Sequence, residues 1–308
     1  MARNTLHFRV SVIATAFLAL FQVNLNLHAE VNALRMDPHE TNSAIETVNG
    51  PHIAVYDPQA TPRHRLFLFL VGTRNKATSS LQIDSSFARW GYHAISLDYE
   101  DNVMAVSCAH SLDSTSFDRY RRAIVTGDPV SEKITIDPAN SILNQLQEML
   151  VYLIKRDPDG GWGEFVVDGK PLWSHIIVAG HSQGAGHAAY IGKLYTVDRV
   201  LMFSGPQDYT DDLDKPAPWQ AREGATPPSR FFAFLNLKDP FNVDHQIANC
   251  VMLMGISKPN TLMVKPGEVI RANSHILINN FPTGQAHGST LFPQFENVWK
   301  YMATTEIR

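Results

Sequence analysis

The chain has 308 residues, of which 44% are hydrophobic, and carries a formal net charge of −4. That length suits one large domain with an ample core, and the charge argues against nucleic acid or an anionic membrane surface as a partner. There is no basic run, no zinc-ligand spacing and no P-loop, so no metal and no cofactor are expected.

Arg3 and Arg9 make a positive stretch before an apolar run, Val10 to Phe21, which is too short to span a bilayer comfortably. Polar Gln22, Asn24 and Asn26 follow, then Leu27-His28-Ala29, which reads as a cleavage site. Residues 1–29 are therefore expected to be an export signal. The mature chain would start near Glu30, secreted or periplasmic, without stable membrane insertion; the alternative is an uncleaved anchor. In an oxidising compartment Cys108 and Cys250 could form one disulfide, or stay as two buried thiols.

Residues 30–50 are polar and irregular and predict a surface leader. His52 to Tyr56 predicts a short strand. Leu66 to Val71 is fully apolar, too short for a helix, and predicts a central strand. Gly72-Thr-Arg-Asn-Lys76 is the loop after it. Ser79 to Trp90 predicts a helix stopped by Gly91, and Tyr92 to Leu97 the next strand. From Val103 to Asn140 the pattern loosens into an insertion near the cleft, with a short helix around Phe117 to Ile124. Ile142 to Ile154 has strong helical spacing through Leu146, Met149, Leu150 and Leu153. A turn at residues 158–161 leads to a strand, Ile176 to Ala179, and a helix, Ala185 to Leu194. Strands follow at Val200 to Phe203, Phe231 to Leu235, Leu262 to Val264 and Ile276 to Asn279. A long loop covers residues 207–228, and helices cover Val243 to Leu253 and Leu291 to Met302. Strands alternating with helices imply one α/β domain over residues 30–308, a mostly parallel sheet covered on both faces.

Between the strand at Ile176 and its helix lies Gly180-His-Ser-Gln-Gly184, a G-x-S-x-G motif. A strand–turn–helix context gives it meaning: the sharp turn pushes the Ser182 hydroxyl out of the sheet edge, and the glycines remove Cβ atoms that would collide there. Gly184-Ala-Gly186 also fits a dinucleotide fingerprint. That motif should open the first strand–helix unit, with an acid ending the next strand; here Asp198 precedes the next strand, so the reading fails.

A serine hydroxyl is a weak nucleophile and needs a base held by an acid, here in the chain order Ser, acid, His. Asp239 follows the strand Phe231 to Leu235 and is the preferred acid, ahead of Asp208 and Asp244. His287 lies in a Gly-flanked loop after the last strand and is the preferred base. His275 opens a strand and belongs at the opposite edge. His181 should point away from a base position, His187 should pack on the helix, and His245 could line the cleft. Two oxyanion donors are needed: the N–H of Gln183, and the N–H of Thr73 or Arg74.

The run Gly-His-Ser-Gln-Gly-Ala-Gly-His-Ala-Ala, with Arg199-Val-Leu-Met-Phe-Ser-Gly-Pro206 and Ala217-Pro-Trp219, resembles secreted bacterial α/β-hydrolase-fold proteins of largely unassigned substrate. The resemblance spans His52 to the C-terminus. It implies that fold and a triad of Ser182, Asp239 and His287. Such proteins carry Pro-Gly-Thr-Gly-Gly after the third strand, where this chain has Val71-Gly-Thr-Arg-Asn75. The missing glycines put the second oxyanion donor in question. Arg74 could instead bring a cation to the cleft and favour anionic substrates, or point to solvent beside Lys76.

The expected activity is ester hydrolysis on a small-molecule or polymer ester, with Trp219 and Phe241 as candidate apolar walls. The alternative is a non-catalytic secreted binding or structural protein that keeps the motif for folding reasons.

Overall fold

The computed structural model describes residues 31–282 and 284–307. The expected export signal, residues 1–29, lies outside the described residues. The centre of the fold is a nine-stranded sheet. In chain order its strands are β1 (Asn32–Met36), β2 (His52–Tyr56), β3 (Leu66–Leu70), β4 (His93–Leu97), β5 (Ile176–His181), β6 (Arg199–Phe203), β7 (Phe231–Asn236), β8 (Thr261–Met263) and β9 (Ile276–Asn279). Their spatial order is β1-β2-β4-β3-β5-β6-β7-β9-β8, and only β2 runs against the rest. Among the described residues seven α-helices accompany them: α1 (Pro38–Thr41), α2 (Leu81–Arg89), α3 (Ser116–Thr126), α4 (Ile142–Arg156), α5 (Gln183–Leu194), α6 (Val243–Leu253) and α7 (Glu296–Thr304). This is the α/β-hydrolase fold. Strands β3, β5, β6 and β7 are buried at every residue, as expected of parallel strands covered on both faces, which is why they read as apolar runs.

Three stretches differ from expectation. Residues 30–50 are not an irregular leader: Asn32–Met36 pairs antiparallel with β2 as the edge strand of the sheet. Its side chains are mostly exposed, so no apolar alternation marks it. The last helix begins later than expected, at Glu296, after two short 3-10 turns at Ala286–Leu291 and Pro293–Phe295. Pro293 disfavours a helical backbone at the residue before it, and Phe292 is extended, with φ −73° and ψ 137°. Cys108 and Cys250 are free and buried, which decides for two thiols. Burial raises the pKa of both, that of Cys250 to about 12.

The insertion at residues 103–140 is also more than a cleft rim. Its helix α3 packs on α5 and delivers Arg121 into the interior, where the guanidinium is fully buried. Arg121 Nη2 and Nε donate to the two carboxylate oxygens of Asp208, at 2.5 and 3.0 Å, and Nη1 donates to the carbonyl of Gln183 at 2.7 Å. A Cβ on Gly186 would sit 2.1 Å from Arg121 Nη2, so the glycine makes room for the cation.

A second buried polar knot joins α2 to β4. The Asp84 carboxylate accepts from the hydroxyls of Ser80 (2.8 Å) and Ser96 (2.9 Å). Burial raises its pKa from 3.8 to about 7, against the pull of these two hydrogen bonds.

Two outcomes are expected. Arg121→Met leaves a buried carboxylate without its partner and should cost about 3–5 kcal/mol in a denaturant titration; near-wild-type stability would show that Asp208 finds other compensation. Asp84 is held protonated in the folded state above its unfolded pKa, so its contribution is present below pH 3.8 and lost as pH rises towards about 7. Asp84→Asn mimics the protonated acid, so its stability relative to wild type should climb across that window. A pH-independent difference between the two proteins would refute this.

Candidate active site

The site is built at the C-terminal edge of the sheet. Strand β5 ends at His181, and Ser182 turns the chain into α5 with φ 56° and ψ −119°, a strained conformation for a residue with a side chain. The surrounding backbone enforces it. Ser182 N–H donates to the Phe203 carbonyl of β6 (2.8 Å). A Cβ on Gly180 would lie 2.3 Å from the Gly184 backbone, and one on Gly184 would lie 2.0 Å from the Leu70 carbonyl oxygen. Strand and helix can approach this closely only through glycine.

Strand β7 ends at Asn236, and Asp239 follows three residues later. Strand β9 ends at Asn279, and His287 follows in the next loop. The structure brings these two loops together. His287 Nδ1–H donates to Asp239 Oδ2 at 2.8 Å, which leaves Nε2 as the acceptor. Asp239 Oδ1 accepts from the Phe241 N–H at 2.9 Å. Burial pushes the Asp239 carboxyl up, but the hydrogen bond and charge of His287, with the Phe241 N–H, outweigh it and hold it below the usual value. Ser182 and His287 line one cavity of about 140 Å³, together with Gly72, Thr73 and Gln183.

The other candidates fall elsewhere. Asp208 is bound to Arg121 and accepts from the Trp219 indole N–H (3.0 Å), so it is a structural acid. Trp219 is correspondingly buried and is not a cleft wall, whereas Phe241 is half exposed and lines the cavity. Asp244 lies in the first turn of α6. His275 bonds the Phe231 carbonyl at the opposite edge. His187 is fully buried between Tyr99 and Tyr120. His245 stacks on Tyr209 and lines a neighbouring cavity.

His181 does not point away. Its ring lies beside that of His287, with centroids 4.8 Å apart, and its Nε2–H donates to the His287 carbonyl at 2.9 Å. The Ser204 hydroxyl donates to the same carbonyl at 2.7 Å. Burial, with the charge of His287, lowers the His181 pKa to about 4. Asn236 Nδ2 donates to Asn279 Oδ1 (2.9 Å) and to Ser289 (2.7 Å), joining the acid loop to the base loop. None of these positioning groups was expected from the sequence. Their only signal is a polar residue ending an apolar strand, as in Phe-Ala-Phe-Leu-Asn236 and Ile-Leu-Ile-Asn279.

The loop after β3 is held by side chains. Thr73 Oγ1 donates to Gln183 Oε1 (2.8 Å), and the Ala105 N–H donates to the same oxygen (3.1 Å). Arg74 adopts φ 56°, taking without a glycine the left-handed turn that glycine would favour. The N–H groups of Arg74 and Asn75 face the buried Asp101 carboxylate. The Arg74 N–H is thereby committed, and its side chain is exposed and lines neither cavity. Of the two readings of Arg74, the structure favours the one in which it points to solvent.

Among the described residues no cluster of side chains could hold a metal ion, and no helix is long and apolar enough to cross a membrane. No protein-family model matches the chain, and no curated protein matches it. Among solved structures it is similar to "Bacterial Heroin Esterase", at 13% identity and TM-score 0.42 over 89% of this chain and 82% of that one. It is likewise similar to TT1662 from Thermus thermophilus, at 16% identity and TM-score 0.43 over 89% and 96%. The fold assignment rests on strand order and direction.

His181 is expected to titrate near pH 4, remaining a neutral donor at neutral pH. Its pKa is depressed on folding, so its contribution to stability is full above 6.5 and lost as pH falls towards about 4. A histidine-resolved NMR titration would show this directly, and a midpoint near 6.5 for His181 would contradict it.

Proposed function

We propose that the chain is a serine hydrolase that cleaves a carboxylic ester, exported through residues 1–29. The observation that supports this most is the 2.8 Å bond from His287 to Asp239, made between loops at two strand ends on the edge where Ser182 emerges. Asp239 fixes the tautomer with Nε2 as base and stabilises the imidazolium that forms. Nε2 takes the Ser182 proton as Oγ attacks the ester carbonyl. The tetrahedral oxyanion is met by the N–H of Gln183, at the positive end of α5, and by the N–H of Thr73. Thr73 is the donor from that loop because the Arg74 N–H already serves Asp101. Collapse expels the alcohol, which takes its proton from His287. Water activated by the same imidazole then releases the acid and regenerates Ser182. An ester rather than an amide is an expectation at the level of the fold.

Replacing the nucleophile should remove activity without disturbing the fold: Ser182→Ala is expected to lower kcat on any cleaved ester by about 10³-fold or more. The same change should abolish labelling by a fluorophosphonate probe, and a wild-type chain that takes no label would favour the non-catalytic reading. The two acids separate cleanly. Asp239→Asn should cost about 10⁴ in kcat at neutral pH with stability little changed. Asp208→Asn should act mainly on the denaturation midpoint. The reverse pattern would assign the wrong acid.

A further inference from the structure

The cavity at Ser182 is small. At about 140 Å³ it falls below the roughly 300–1,000 Å³ of sites that enclose a whole ligand. A second cavity of about 490 Å³ adjoins it, and the two share Met104, Val106, Gln207 and Phe241 as common walls. Met104 and Phe241 are large apolar side chains, each 46% exposed, standing at the divide. Together the two compartments reach the size of an ordinary ligand site.

Chemistry decides which part of an ester enters which compartment, given the triad proposed above, on which this inference rests. The carbonyl oxygen must face the N–H groups of Gln183 and Thr73, and these residues with Gly72 and Ala105 enclose the small compartment. The acyl group therefore lies there. The alcohol oxygen must lie against His287, which gives it a proton. The ring of Phe241 packs on that imidazole, with centroids 4.5 Å apart, and Phe241 is also a wall of the large compartment. The alcohol leads there.

The large compartment sets hydrogen-bonding groups, among them Tyr209, Asp211, Asn242 and His245, against an apolar wall that includes Met104 and Phe241, the mixed lining that a sugar ring with its C–H faces and hydroxyl rim would meet. Tyr209 and His245 stack at 3.6 Å between centroids, and His245 Nδ1 lies 3.5 Å from Asp211. No lysine or arginine lines either compartment among the described residues. An anionic alcohol would therefore meet Asp211 without a permanent cation to balance it. We infer that the substrate is a short-chain acyl ester of a bulky, uncharged polyhydroxy alcohol, such as an acetylated sugar, with the acyl group beside Ser182 and the alcohol over Tyr209 and His245.

The test compares three esters on the full chain: ethyl acetate, methyl 6-O-acetyl-glucoside and methyl 6-O-octanoyl-glucoside. The acetyl glucoside should exceed each of the others in kcat/KM by about tenfold or more, the worth of one to two kcal/mol of selective contact. Met104→Ala should narrow the acetyl-to-octanoyl ratio, and His245→Ala the ratio of acetyl glucoside to ethyl acetate. The binding order is also read by calorimetry on Ser182→Ala, where turnover plays no part, and should place the acetyl glucoside first. Preference for the octanoyl ester, or equal use of the two acetates, overturns this inference while leaving the hydrolase reading intact. Absence of hydrolysis and of probe labelling, with the binding order kept in Ser182→Ala, overturns the catalytic reading and leaves the ligand class standing. Equal binding of all three esters overturns the ligand class.

Discussion

The fully buried pair of Arg121 and Asp208 is the interaction on which the sheet edge carrying Ser182 depends. It joins α3, the loop after β6 and the first turn of α5, three stretches that share no local signal. Burying two charges costs several kcal/mol each before their attraction is counted. That cost is met here by geometry: a two-point contact, a further bond from Arg121 to the Gln183 carbonyl, and an indole N–H on the same carboxylate. The Gln183 carbonyl therefore has a fixed partner, and the residue whose N–H is the proposed oxyanion donor is tethered through the next peptide unit.

A second level of fixation lies between the strand ends. The carbonyl of His287 receives two hydrogen bonds, one from the elbow strand through His181 and one from the end of β6 through Ser204. Asn236 and Asn279, opposite each other in register, bind their loops across the sheet. The pair of Asp239 and His287 thus does not rely on loop rigidity. Each loop is anchored where it leaves its strand, so small errors in one loop are not free to grow towards the other.

The fold is legible in the chain wherever burial is two-sided. Leu66 to Val71 and Phe231 to Leu235 have no polar residue to pair with water, and so read as central strands. The elbow is legible because it is local: steric demand places two glycines and a serine within five residues. Asp239 and His287 are legible as residues that follow strands on the same edge. What does not show is of two kinds. Asn32–Met36 is an edge strand with one partner, and its exposed side chains carry no periodic signal. The pairing of Arg121 with Asp208 spans 87 residues of sequence, and nothing short of the fold brings them together. For the same reason Asp208 competes with Asp239 as the acid in the sequence, and His181 reads as turned away until its ring is seen against His287.

Cys108 and Cys250 lie fully buried in the same core, unpaired, with their thiolate forms made costly by burial. The folded protein therefore has the same covalent structure in a reducing medium as in an oxidising one. Neither thiol can meet a reagent until the packing around it opens. The two sulfurs are thus native reporters of breathing. Alkylation of Cys108 reads the opening of the insertion, alkylation of Cys250 reads the opening of α6, and the difference between their rates would tell whether these two elements come apart together or in turn.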